Sequence, residues 1–275
     1  MPRAGRSTQP SLGAAHEASR PPRQSQRHDA IIELVLAAGS MRIEDLADQF
    51  EVSTMTIHRD LDMLAARGIV RKSRGFVTAV ASSLFEANPE YRQRQQTAEK
   101  EAVARTAFAF VEPGQALILD DSTTDLHLAK LLPQRQPLTV ITNFQRAIRA
   151  LVGQPGIAVI SLGGQHHQWC DAFMGTVTVN SLRSLRADAL FMSTPSIIDD
   201  VCFHQHHDAA LIKRAMFDSA EKRYLLADHS KFTQRALHAN IALEEFDAVI
   251  VDAQTPKVHL KRLREKGVKV IVADE

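Results

Sequence analysis

Cysteine is nearly missing from this chain: two residues, Cys170 and Cys202, in a length of 275. Two thiols give no disulfide framework, so a reducing, cytoplasmic setting is expected. Long hydrophobic runs are missing too. Stretches such as Leu34 to Ala38 and Val249 to Val251 fall far short of the roughly 18 apolar residues that a membrane span needs. Net charge is almost nil, with 33 basic against 32 acidic residues. Global charge therefore gives no sign of a nucleic-acid partner. Residues 1–26 lack large aliphatic side chains apart from Leu12, and are rich in Pro, Ser, Gln, Gly, Ala and Arg. Such a stretch cannot bury enough surface to offset its ordering entropy and reads as a disordered tail. It has no apolar core of a secretory signal. Its arginines leave a transit peptide or a DNA-brushing arm as alternatives to an inert tail.

What is present is an ordinary globular balance, 44% hydrophobic and 24% charged. Collagen, coiled coil and wholesale disorder are excluded. At about 150 residues per domain the length suggests two domains.

Residues 27–80 carry the pattern of a winged helix-turn-helix. Ile31, Ile32, Val35 and Ala38 recur at helical spacing, and Gly39 can stop that helix. Ile43, Leu46, Ala47 and Phe50 repeat the pattern, with Glu44 and Asp45 in the first turn, where the helix dipole favours acids. Ser53 is a suitable N-cap for a third helix from Thr54 to about Arg67, with Gly68 as its stop. Ile57, Leu61 and Leu64 form its inner stripe, while Met55, His58, Arg59 and Asp62 face away. Thr54 and Thr56 lie at its start. A short helix with a small polar and basic outer face suits the DNA major groove. Ile69 to Thr78 alternates around Arg71, Lys72, Arg74 and Gly75, which predicts a hairpin with a basic tip able to follow phosphates. The alternative is a three-helix protein-binding module with a solvated charged face.

The string Ser53-Thr-Met-Thr-Ile-His-Arg-Asp-Leu61, followed by Leu64, Gly68 and Arg71, resembles the DeoR family of bacterial sugar-metabolism regulators. The resemblance implies DNA contacts from Ser53, Thr54, Met55, Thr56, His58, Arg59, Arg71, Lys72 and Arg74. His58 stands where the family usually has Arg, and His cannot make the bidentate guanine contact that Arg makes. Arg74-Gly75-Phe76 replaces the family's double glycine at the wing tip.

Residues 81–100 read as a linker. Asn88-Pro89 breaks the chain, and a helix of about 15 residues then runs up to Pro113-Gly114. Its charges read as a solvated face.

Residues 101–275 read as an α/β sensor domain. Seven strands are predicted, at Ala116–Asp120, Leu138–Thr142, Ile157–Ser161, Asp188–Met192, Arg223–Asp228, Asp247–Asp252 and Val268–Val272. They are continuous apolar runs, as expected of strands buried on both faces. Phe144–Leu151 and Ala209–Ala220 have helical spacing. The pattern is that of a mostly parallel, doubly wound sheet. Ligands bind beyond the carboxyl ends of such strands. There the sequence places Asp120, Asp121, Ser122, Thr123, Thr124, Thr142, Asn143, Gly163, Gly164, Ser193, Thr194, Asp228, His229, Ser230, Lys231 and Asp252.

These positions resemble the same family again, in Leu119-Asp-Asp-Ser-Thr-Thr124, Thr142-Asn143, Gly163-Gly164, Ile212-Lys-Arg-Ala215 and Asp228-His-Ser-Lys-Phe232. The resemblance implies a sensor similar in fold to ribose-5-phosphate isomerase and glucosamine-6-phosphate deaminase, binding a phosphorylated sugar or polyol. Lys213 and Lys231 would be its anion partners. Asp121 and Ser122 stand where the family has Ser and Gly. A carboxylate there repels phosphate, so an unphosphorylated effector or a bridging cation is an alternative.

Cys202, His204, His206 and His207 fall within six residues, the first three on one side of an extended segment, with His166, His167 and His229 elsewhere. Their residue types suit zinc, but their spacing matches no standard structural site. A histidine lining the effector pocket is the preferred reading, and no metal or cofactor is expected. The rival function is a sugar-phosphate isomerase or deaminase with Asp120, Asp121 or Asp228 as base. No catalytic loop of that kind is recognisable, so a non-enzymatic, DNA-binding repressor of carbohydrate or polyol genes is expected. It would work as a dimer or tetramer on palindromic DNA, released by a small metabolite.

Overall fold

The structure is a computed structural model that describes residues 24–38, 40–66, 69–79 and 89–274. The expectations for residues 1–23, Gly39, Arg67, Gly68, Val80, the first part of the linker, 81–88, and Glu275 fall outside these residues.

The N-terminal module comprises α1 (Gln24–Ala38), β1 (Ser40–Arg42), α2 (Ile43–Gln49), α3 (Thr54–Ala66), β2 (Val70–Ser73) and β3 (Phe76–Ala79). Its core joins Ile31, Ile32 and Val35 of α1 to Ile43 and Leu46 of α2, and to Ile57, Leu61 and Leu64 of α3. Val70 and Val77 of the hairpin close it. Burial of each large aliphatic side chain contributes about 2 kcal/mol against exposure. Two expectations need correcting here. Gln24 to Gln26, assigned to the tail, open α1, and Ala38 is exposed rather than part of its inner stripe. β1, too short for periodicity to reveal, pairs with β3 and makes the wing three-stranded.

The C-terminal module starts with α4 (Pro89–Arg94) and α5 (Thr97–Phe108). The helix predicted ahead of Pro113 is α5, and α4 is an additional helix within the stretch read as linker. Gln96 adopts a left-handed conformation, φ 50°, which breaks the run. Then come β4 (Ala116–Leu119), α6 (Thr123–Ala129), β5 (Leu138–Thr142), α7 (Gln145–Leu151) and β6 (Ile157–Ser161). A hairpin of β7 (Gln165–His167) and β8 (Ala172–Met174) leads into α8 (Thr176–Arg183) and β9 (Ala187–Met192). β10 (Ser196–Ile198), β11 (Val201–His204), α9 (His207–Asp218) and β12 (Ala220–Ala227) follow. The chain ends with β13 (His238–Ala242), β14 (Ala248–Val251), α10 (Lys257–Glu265) and β15 (Val270–Val272).

All seven predicted strands join one parallel sheet, in the order β15-β14-β12-β9-β4-β5-β6. Alternate side chains fill two cores. Leu117, Leu119 and Phe191 pack on one face with Val103 and Ala107 of α5. Ile118, Leu190 and Met192 pack on the other with Leu182 of α8 and Ile212 and Met216 of α9. The edge strands depart from the expected two-sided burial. β6 is partly exposed along its length, and β15 is half-buried. The antiparallel sheet β10-β11-β13 and the β7-β8 hairpin were not predicted. Their strands run three to five residues, too short for a clear alternation.

From β4 the chain winds to β5 and β6, then returns to β9 on the other flank of β4. The strand order therefore reverses between β4 and β9. Diverging loops at such a switch point leave a crevice at the carboxyl ends.

Candidate functional site: a DNA-reading helix and a strand-end cleft

The recognition surface begins at Ser53. Its Oγ accepts the Thr56 N–H at 3.2 Å and lies 2.9 Å from the Thr56 hydroxyl, which caps α3. Thr54, Met55, His58 and Arg59 project to solvent, and Met55 is 63% exposed. Arg71 and Arg74 are exposed on the wing, with Arg74 and Gly75 forming its turn at φ 43° and 83°. The Gly75 carbonyl accepts the Ile43 N–H at 2.9 Å, which fixes the wing against α2. Lys72 is half-buried and is engaged by Asp62 at 2.6 Å.

Asp60 faces the opposite way. It is 1% exposed and accepts Arg27 Nε at 2.6 Å, His28 Nε2 at 2.9 Å and Gln24 Nε2 at 3.4 Å. Burial pushes its carboxyl up, and the Arg27 and His28 hydrogen bonds outweigh that, holding it below the usual range. Asp60 thus ties α3 to α1. It stood in the sequence motif without a role, because its partners lie more than 30 residues away.

The second site lies at the β4/β9 switch point. Asp121, Ser122, Thr123, Thr124, Ser193, Thr194, His204, Lys213, Lys231 and Arg92 line a cleft with a free volume of about 20 Å³. Of the strand-end residues and lysines expected from sequence, Asp121, Ser122, Thr123, Thr124, Ser193, Thr194, Lys213 and Lys231 line it. Ser122 Oγ caps α6 by accepting the Asp125 N–H at 2.9 Å. Asp120 lies beneath and spans the switch point, accepting Ser122 N–H at 2.8 Å and Ser193 N–H at 2.9 Å. Lys213, 4% exposed, donates to Asp120 Oδ2 and to the Ser193 carbonyl at 3.1 Å. It also stands 3.5 Å from Asp121 Oδ1. Burial raises the Asp121 carboxyl, but Lys213, His204 and Arg92 together hold it below the usual range. Asp125 goes the other way, pushed well up by burial and by Asp120.

Lys231 stands 3.4 Å from Asp228 Oδ2. Asp228 itself is fully buried and accepts the Ser230 N–H at 3.0 Å, so it supports the cleft from below. Thr142, Asn143, Gly163 and Gly164 do not line it. Thr142 Oγ1 accepts the Phe144 N–H at 3.1 Å, and Asn143 Nδ2 donates to the Phe173 carbonyl at 3.0 Å. The Gly163 carbonyl accepts the Thr178 hydroxyl at 2.7 Å. Gly164 has φ 148°, and a Cβ there would stand 2.3 Å from Thr178 Oγ1 and 2.5 Å from the Met174 carbonyl oxygen. Gly164→Ala is therefore expected to cost about 2 kcal/mol or more, read by urea denaturation.

Two of the linker charges, Arg92 and Lys100, are not on a solvated face, while Arg94 is exposed. Arg92 of α4 lines the cleft, and Lys100 of α5 is 2% exposed. Lys100 Nζ donates to the Arg92 carbonyl and to the Gln95 carbonyl at 2.7 Å, which closes the end of α4. Burial and the Lys231 charge bring its pKa down to about 7, against the pull of Asp228. A residue of the linker reaching a strand-end cleft left no signal in the sequence.

His204 lines the cleft, as preferred above, and its Nδ1 accepts the His206 N–H at 3.0 Å. His206 stacks on Trp169 with ring centroids 4.0 Å apart. Burial pushes the Cys202 thiol up to about 12. His166 pairs with Asp171 at 3.1 Å and His229 with Asp252 at 3.0 Å. Among the described residues no group of three or more His, Cys, Asp or Glu is placed to hold a metal ion. A wider groove of about 430 Å³ runs between α8 and α9, lined by residues such as Val179, Arg183, Asp208 and Leu211. None of the strand-end residues enters it. No described helix is long and apolar enough to cross a membrane.

A winged helix-turn-helix joined to a parallel sheet with a polar switch-point cleft defines a ligand-sensing, DNA-binding transcriptional regulator. Comparison with known proteins agrees with this class. The DeoR-like helix-turn-helix domain matches residues 27–83, and the DeoR C-terminal sensor domain matches residues 95–253. The chain belongs to the DeoR family. It is 31% identical to the uncharacterized HTH-type transcriptional regulator YulB of Bacillus subtilis, over 90% of this chain and 95% of that one. It is 30% identical to the glycerol-3-phosphate regulon repressor of Escherichia coli, over 85% and 93%. Among solved structures, ribose 5-phosphate isomerase A from Neisseria gonorrhoeae matches at TM-score 0.37 and 16% identity, over 50% of this chain and 53% of that one.

Proposed function

We propose that this protein is a repressor of carbohydrate or polyol catabolism genes, released from its operator by a small anionic sugar derivative. The observation that carries the proposal is the cleft, where Arg92, Lys213 and Lys231 converge with the hydroxyls of Ser122, Thr123, Thr124, Ser193 and Thr194. Several cations and hydroxyls in one crevice suit a phosphorylated polyol. The name of the Escherichia coli relative, a glycerol-3-phosphate regulon repressor, supports the same effector class. Residues 27–80 form the DNA-binding unit, 81–100 the connection and 101–275 the sensor. The protein acts in the cytoplasm as a homo-oligomer, its paired recognition helices reading half-sites one helical turn apart. Ser53, Thr54, Met55, Thr56, His58 and Arg59 meet the groove, and Arg71, Lys72 and Arg74 meet phosphates. Its task is binding without turnover.

The test is selection of duplexes from a random pool by the full chain, followed by release of the selected DNA with sugar phosphates and free sugars. A palindromic site released by a phosphorylated compound supports the proposal. A lack of sequence preference, or release by no metabolite, refutes it. Arg71→Ala is expected to weaken all sequences alike and to lower the salt slope by about 1. His58→Arg is expected to change the selected sequence, with guanine gained opposite the new side chain.

A further inference from the structure

We propose that Asp121 is a built-in competitor for the effector's anionic group: its carboxylate occupies the cationic cleft and must yield when the ligand enters. The inference rests on the reading of this cleft as the effector site and adds the residue that sets its affinity. Asp121 is only 4% exposed, yet it is a lining residue of the cleft. Lys213 lies 3.5 Å from its Oδ1, and Arg92, His204 and Lys231 line the same crevice. Asp120 already balances the charge of Lys213, so Asp121 brings a second carboxylate to the same cation and leaves the trio net negative. The charges of Lys213, His204 and Arg92 keep the Asp121 carboxyl ionised against its burial.

The cleft's free volume, about 20 Å³, admits roughly one water, whereas small-molecule sites run to hundreds of Å³. Entry of a sugar phosphate therefore requires a wall to move. Arg92 stands on α4, the first described element after β3. An incoming phosphate offers Arg92 and Lys213 a doubly charged partner in place of one internal carboxylate. Asp121 then costs affinity twice, by occupying the cations and by repelling the ligand. Two unit charges about 5 Å apart at the effective dielectric of such sites interact strongly enough to change affinity tenfold or more.

The experiment compares the full-length parent with Asp121→Asn and Asp121→Ser for binding of inorganic phosphate and glycerol 3-phosphate, with and without magnesium. Calorimetry gives the affinities, and the thermal midpoint shows that each variant is folded. Both variants are expected to bind phosphate about tenfold or more tightly than the parent, without magnesium. The near-isosteric Asp121→Asn separates charge from space. Equal or weaker phosphate binding in both variants overturns the proposal, since Asp121 would then be neutral to the ligand or its contact. A parent that binds phosphate only with magnesium, and variants that lose that binding, also overturn it, because Asp121 would hold a cation. Phosphate binding in no form of the protein refutes the anion site itself and the inference with it. Tight phosphate binding unaffected by Asp121 leaves the anion site standing and removes only the competitor.

Discussion

Asp60→Ala is expected to destabilise the N-terminal module by about 3–5 kcal/mol, the usual cost of removing one partner from a buried ion pair. The carboxylate is 1% exposed and serves Arg27, His28 and Gln24 together. Without it the Arg27 guanidinium, itself 8% exposed, loses the carboxylate that pairs with its Nε and stays desolvated. The loss falls on the contact between α1 and α3, so it loosens the helix that presents Met55, His58 and Arg59. Urea denaturation of the full chain, with hydrogen exchange resolving the α1 and α3 amides, measures it. The Asp60 carboxyl lies lower in the folded than in the unfolded chain. Its stabilisation is complete above the unfolded value of about 4 and fades as pH falls through the folded value. The gap between parent and variant should therefore narrow as pH falls below the unfolded value of about 4. A gap independent of pH would assign the effect to packing. Asp60→Asn keeps an oxygen acceptor and is expected to fall between the two.

The elements that were legible in the sequence are those whose signal is local. α3 announces itself through Ile57, Leu61 and Leu64, and through Ser53 as its cap. The seven strands of the main sheet are legible because both flanks of β4, β9 and β14 are buried, which leaves unbroken apolar runs. β10, β11 and β13 are short and mix His, Asn and Ser with aliphatics, so no period survives. The break at Gln96 involves neither glycine nor proline, and a helix stop without either is invisible to residue type. Strand ends were a sound guide to the cleft but not to its members. They marked Ser122 and Lys231, which line it, and equally Thr142 and Gly164, whose polar atoms and backbone are used in turns. Only the strand order shows that the crevice opens between β4 and β9 rather than over β5 and β6. Arg92 lies 29 residues before Asp121 in the chain, and no spacing rule connects them.

Lys213→Met is expected to cost the sensor module about 3–5 kcal/mol near neutral pH. The methionine fills a similar volume, but the ammonium that served Asp120, Asp121 and the Ser193 carbonyl is gone. Two carboxylates less than 5% exposed then face each other's charge without that cation. Lys213 is the first of the charges that hold the Asp121 carboxyl down, so its removal raises that carboxyl toward and beyond the unfolded value. The parent keeps the stabilisation of ionised Asp121 above the unfolded carboxyl value and loses it as pH falls through the folded one. The variant, with its carboxyl raised, instead gains stability as pH falls and the proton is taken up. The stabilities of parent and variant should therefore approach each other as pH falls and the raised carboxyl of the variant takes up its proton. Adding Asp121→Asn to Lys213→Met removes one of the two stranded charges and should restore part of the loss, because neutralising both partners of a buried pair costs less than breaking it. A double variant no more stable than Lys213→Met would mean that Asp120 alone carries the pairing. Asp121 would then lie outside the charge network of the switch-point cleft.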